Sequence, residues 1–128
     1  MSAPTIGSIL LASSNPERLR DWYVAALAPK VERTPGEPAY DVLDFDGFYL
    51  MLDRRDDVGG KNPEPGRMIL NIEVTDAPAI AARLDDLGAT WLSPLEDRDG
   101  SWFGTVVDPD GNYVQLIELS ERARAEMS

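Results

Sequence analysis

The chain has 128 residues, a net charge of −11, no cysteine and no histidine. The length suits one domain with a sizeable core; the missing residues exclude disulfides, thiolate nucleophiles, zinc–thiolate sites, imidazole bases or ligands and any Ser-His-Asp triad. So acidic a surface repels phosphate backbones, which excludes nucleic acid as an expected partner and leaves solubility, or attraction of cationic ligands, as its use.

Composition is otherwise ordinary for a globular protein, at 43% hydrophobic and 27% charged. No run of about 18 apolar residues marks a membrane span. No basic region precedes an apolar core at the N-terminus, so a signal peptide is not expected and a cytoplasmic location is.

In chain order, Thr5 to Ala12 reads as a first strand. Asn15-Pro16 opens a helix, with asparagine as N-cap and proline at the first helical position. Leu19, Trp22, Tyr23, Ala26 and Leu27 form its apolar stripe, and Ala28-Pro29 ends it. Lys30 to Thr34 is a short strand and Pro35-Gly36-Glu37-Pro38 a turn. Tyr40 to Phe45 and Phe48 to Asp53 are strands around an Asp-Gly turn, completing a βαβββ unit over residues 5–53. Residues 54–66, charged and rich in glycine and proline, read as a linker.

The second unit, residues 67–119, follows the same order. Met68 to Thr75 is a strand. Asp76 caps a helix that buries Ile80, Leu84 and Leu87, and Gly88 ends it. Ala89 to Leu95 is a strand, Glu96 to Ser101 a polar turn, and Trp102 to Val107 and Tyr113 to Leu119 the closing strands. Ser120 caps a short polar helix in the tail, residues 120–128, and residues 1–128 together are expected to form a single domain.

The two units are copies. Asp44, Asp46, Gly47, Tyr49 and Leu52 recur as Asp108, Asp110, Gly111, Tyr113 and Leu116, each 64 positions on. The helices align at an offset of 61, Leu19 with Ile80 and Tyr23 with Leu84. A period near half the chain length means one unit used twice, not a solenoid.

Period-two alternation sorts the strand residues into two faces. Ile9 and Leu11, Phe48, Leu50 and Leu52, Leu70, Ile72 and Val74, Val114 and Leu116 are large and apolar and should pack under the helices. The opposite set is mixed: Ser8 and Leu10, Tyr49 and Met51, Ile69, Asn71 and Glu73, Tyr113, Gln115 and Ile117.

Paired βαβββ units with Asp-Pro-Asp-Gly-Asn before a closing apolar strand resemble the vicinal oxygen chelate superfamily, over Ile6 to Leu119. That superfamily includes glyoxalase I, extradiol dioxygenases, methylmalonyl-CoA epimerase and bleomycin- and fosfomycin-resistance proteins. The resemblance implies an α+β fold in which two tandem units form a curled mixed sheet, with helices on its convex side and a concave wall that cups a ligand. The mixed residue set would line that cup, as suits a small-molecule pocket.

Metal-using members carry four ligands, usually His and Glu, at the centre of this wall. Counting from the turns and caps, the equivalent positions here are Ser8, Met51, Ile69 and Gln115. Serine is a weak ligand unless ionised, methionine suits soft metals, isoleucine cannot bind, and glutamine offers one neutral carbonyl. No metal and no other cofactor is therefore expected, and activities of the family that need the metal are not.

A metal-free small-molecule-binding protein is the reading that remains, similar to the bleomycin-resistance branch and sequestering an aromatic or cationic compound. Its ligand-binding residues would be Ser8, Tyr49, Met51, Ile69, Asn71, Trp91, Trp102, Tyr113 and Gln115. The alternative is a lyase, isomerase or dioxygenase-like enzyme with a non-standard site, in which Glu73, Tyr49 and Tyr113 are the acid–base candidates and Glu73 acts as base from an apolar cup. A third reading is an interaction module whose cup a partner chain closes. A homodimer is expected, since the superfamily commonly dimerises and open sheet edges need cover.

Overall fold

The caps written into the sequence start both long helices. In a computed structural model describing residues 3–126, the Asn15 side chain accepts the Arg18 backbone N–H at 3.2 Å and opens α1 (Pro16–Leu27). Ala28 ends it in the left-handed region, φ 52. Asp76 accepts the Ala79 N–H at 3.2 Å and opens α2 (Ala77–Asp86). Residues 1, 2, 127 and 128, the ends of the expected domain and tail, lie outside the described residues.

The chain divides into two compact units, one running to Gly60 and the other starting at Lys61. The first holds β1 (Ser8–Ser13), α1, β2 (Lys30–Arg33), β3 (Asp41–Phe45) and β4 (Phe48–Arg54). The second holds β5 (Leu70–Glu73), α2, β6 (Thr90–Arg98), β7 (Ser101–Val107), β8 (Tyr113–Glu118) and a short α3 (Glu121–Glu126), whose cap is the Ser120 hydroxyl. Each unit is βαβββ with one four-stranded mixed sheet, in the orders β1-β4-β3-β2 and β5-β8-β7-β6. The β1–β4 and β5–β8 pairs are parallel and the others antiparallel.

α1 and α2 each cover one face of their own sheet. Leu19, Tyr23 and Ala26 of α1 with Leu43, Leu50 and Leu52 make the first core; Ala77, Ile80 and Leu84 with Val74, Val106, Val114 and Leu116 make the second. Two residues expected in these cores are exposed: Phe48 opens β4 at its hairpin, and Leu87 follows α2 as its C-cap.

The polar stretch read as a turn over Glu96 to Ser101 is mostly strand. β6 runs on to Arg98, and the turn is only Asp99-Gly100, both at positive φ (54 and 88), with Asp97 Oδ1 accepting the Gly100 N–H at 2.7 Å. A two-residue hairpin with both central residues left-handed follows strand twist, so the charged ends can stay paired. Asp46-Gly47 repeats this geometry, with Asp44 Oδ1 accepting the Gly47 N–H at 2.7 Å. The topological partner of that turn, residues 108–112, is longer: Phe45 pairs directly with Phe48, whereas Val107 pairs with Tyr113. Pro109 cannot take a positive φ, so the second copy needs another solution.

That solution is a buried carboxylate. Asp108 Oδ1 accepts the backbone N–H groups of Asp110 and Asn112, each at 2.9 Å, and the Asn112 amide bonds both of its oxygens. Residues 61 and 62, from the stretch read as linker, dock on this loop. The Asn62 N–H donates to Asp110 O at 2.7 Å, and Lys61 Nζ donates to Pro109 O at 2.7 Å.

On the helix side of the first unit, Arg20 and Arg33 donate to the two oxygens of buried Asp41, at 3.1 and 3.0 Å. Asp21, and after it Asp41, raise the Arg20 guanidinium above its ordinary range against the opposing effect of burial. Asp41→Ala is expected to cost about 1–3 kcal/mol, since it strips two guanidinium groups of a shared acceptor. The check is a lower urea midpoint at unchanged slope.

Candidate functional site

Cross-strand register fixes which residues share the face left open by each helix. In the first unit Ser8 lies opposite Tyr49, Leu10 opposite Met51, and Met51 opposite Val42. Leu10 is 57% and Tyr49 39% exposed, so this face presents large apolar groups to solvent beside a hydroxyl. In the second unit Asn71 lies opposite Gln115 and Gln115 opposite Thr105; Glu73 lies opposite Ile117 and Ile117 opposite Phe103; Tyr113 lies opposite Val107. Ile69, expected within a strand, precedes β5 and is exposed.

The four central positions keep their repeated placement. Ser8 sits two residues before Leu10, the partner of Met51, and Ile69 two residues before Asn71, the partner of Gln115. Their chemistry does not fit a divalent transition metal, because the set contains neither imidazole nor carboxylate. Among the described residues, no group of three or more acidic side chains could hold a metal ion.

Two of the expected ligand-binding residues lie on the wrong face. Trp91 donates its indole N–H to Asp85 of α2 at 2.9 Å, and its strand partner is buried Val106. Trp102 lies opposite Glu118, which accepts the Ala77 N–H at the start of α2. Both tryptophans therefore belong to the helix side. Phe103, the neighbour of Trp102, takes the open face instead. Counting by twos back from Val106 through Gly104 would have placed Trp102 correctly from sequence.

The environment proposed for Glu73 is also absent. Its side chain is more than half exposed and pairs with Arg124 of α3 at 3.3 Å, so it has no apolar enclosure to make it a base. Tyr49 and Tyr113 remain on the open faces, without that base.

The second unit also holds a cleft of about 680 Å³ between the β6–β7 turn and α3. Phe103, Leu119 and Ala123 give it apolar surface, and Arg98 and Arg122 stand at it. None of its lining residues was among those expected to bind ligand. The residues after Leu119 read as a short polar helix in a tail, and the wall that α3 supplies to the cleft was not expected.

Two βαβββ units, each with a parallel first-to-last strand pair and a helix on one face, define a vicinal oxygen chelate fold. The glyoxalase-like domain family model matches residues 8–117, and the chain belongs to that family. Solved structures share the fold across nearly the whole chain. TnmS3, an antibiotic binding protein from Streptomyces sp. CB03234, is 21% identical, with 94% of this chain and 99% of that one covered and a TM-score of 0.71. TioX from Micromonospora sp. ML1 is 22% identical, with 91% and 97% covered and a TM-score of 0.69. A glyoxylase/bleomycin resistance protein/dioxygenase domain from Frankia sp. EAN1pec is 20% identical, with 93% and 100% covered and a TM-score of 0.72. No curated protein sequence matches the chain. Among the described residues, no helix is long and apolar enough to cross a membrane.

Proposed function

We propose that this chain is a metal-independent binding protein of the glyoxalase/bleomycin-resistance type, which sequesters a planar aromatic or cationic compound and works as a homodimer. The observation that carries this reading is the open face of the first unit. It combines exposed Leu10 and Tyr49 with Ser8 and Met51, at positions where a catalytic relative would need metal donors. Such a wall offers apolar contact, one aromatic face and a few polar groups, which is the make-up of a small-molecule site. With both tryptophans on the helix side, and the Phe103 ring already covered by Arg98, stacking falls to Tyr49 and Tyr113. The chain's charge of −11 favours a cationic ligand. The fold it shares with an antibiotic binding protein supports the same reading.

Two measurements test it. Elemental analysis of purified protein is expected to find no stoichiometric nickel, zinc or iron; one tightly held ion per chain would overturn metal independence. Proflavine, a planar cation, is expected to raise the melting temperature, because a ligand that binds only the folded state stabilises it. Tyr49→Ala should then weaken proflavine about 5-fold, corresponding to one aromatic contact of about 1 kcal/mol. If neither proflavine nor other planar cations shift the transition, sequestration of this class is rejected. Sedimentation equilibrium decides the dimer.

A further inference from the structure

We propose that the cleft between the β6–β7 turn and α3 is a second site, for a small carboxylate with a flat apolar body. It lies at the end of the second unit's open face, around Phe103, uses none of the residues proposed above to hold the cation, and takes the opposite ligand charge. Its volume, about 680 Å³, lies within the range of small-ligand sites. Phe103, Leu119 and Ala123 supply the surface for the apolar body.

The polar groups select a carboxylate. Ser101 is 5% exposed, and its hydroxyl oxygen accepts the Ser120 backbone N–H at 2.9 Å. A hydroxyl also carries a donor, and among the described residues that proton meets no protein acceptor. An incoming carboxylate oxygen supplies one. Arg98 reaches Glu96 through Nε and Nη2, which leaves Nη1 to donate elsewhere. Arg122 is 90% exposed and meets Glu126 only at 3.5 Å, a surface pair weak enough to exchange partners.

A cationic ligand is disfavoured by what already occupies the aromatic ring. The Arg98 guanidinium stands 5.4 Å from the Phe103 centroid, where a ligand cation would otherwise sit. Among the residues that line the cleft, Asp99 and Glu126 are matched in number by Arg98 and Arg122, and Glu96, the partner of Arg98, stands outside that lining.

The test is an NMR titration of the full chain with benzoate, benzylamine and benzyl alcohol. Benzoate is expected to give saturable shifts at the amides of Phe103, Leu119 and Ala123, with the amine and the alcohol at least 10-fold weaker. Arg98→Gln and Arg122→Gln change exposed side chains, so the fold should be retained, and each should weaken benzoate about 5-fold. The proposal is overturned if benzylamine binds the cleft as well as benzoate does. It is equally overturned if benzoate shifts only amides near Tyr49 and Met51, if no shift saturates, or if both arginine variants bind unchanged. Proflavine binding is read at the amides of Tyr49 and Met51 on the first unit's open face, so failure of either site is distinguishable from failure of the other.

Discussion

Asp108→Ala is expected to cost about 3–5 kcal/mol, because one carboxylate satisfies several buried donors at once. Asp108 is 2% exposed, and the backbone N–H groups of Asp110 and Asn112 both point at it. Alanine leaves these groups facing a small cavity, and the Asn112 amide loses its partner as well. The damage then spreads, since Asn62 and Lys61 are docked on the same loop. Asp108→Asn keeps one acceptor oxygen and should cost about half as much. Urea denaturation of the two variants provides the check. Equal losses would mean that burial, not donor satisfaction, sets the cost.

Gly104→Ala is expected to cost about 2–3 kcal/mol, at the upper end for overpacking. The register of β6 against β7 shifts between Ser93 and Glu96, and this irregularity lays the backbone of Leu95 over Gly104. A Cβ there would stand 2.9 Å from Leu95 Cα and 3.1 Å from Leu95 N, and backbone atoms cannot swing aside. Gly104→Val should lose more still. Gly60→Ala is the control: a Cβ there meets nothing within 4 Å, and stability should change by no more than about 0.5 kcal/mol. Similar losses at both positions would show that glycine flexibility, not the approach of β6, is what matters.

These two positions mark where the sequence was legible and where it was not. Caps and turns are local, so Asn15, Asp76 and the Asp-Gly pair at 46–47 announce themselves. The duplication extended that reading to the order of all eight strands. Matching letters, however, did not mean matching shape. Asp44 and Asp108 align in sequence, yet one closes an exposed two-residue turn and the other is the buried hub of a longer loop. The faces of β6 were harder, because its register shifts interrupt simple alternation. Trp102 and Phe103 are adjacent, so one had to face each way, and only an anchor such as Val106 decides which. Glu73 failed for a non-local reason: its partner Arg124 lies 51 positions away, 124 less 73, in a helix that reads as a tail.

The one-sided burial of the first sheet has an evolutionary corollary. Leu50 and Leu52 hold the fold from beneath, while Leu10, Tyr49 and Ser8 stand on the opposite side, where substitutions typically change stability by less than about 0.5 kcal/mol. The residues of that outer face can therefore change almost free of any penalty in foldedness. With the unit present twice, the outer face of one copy can change without touching the core of the other.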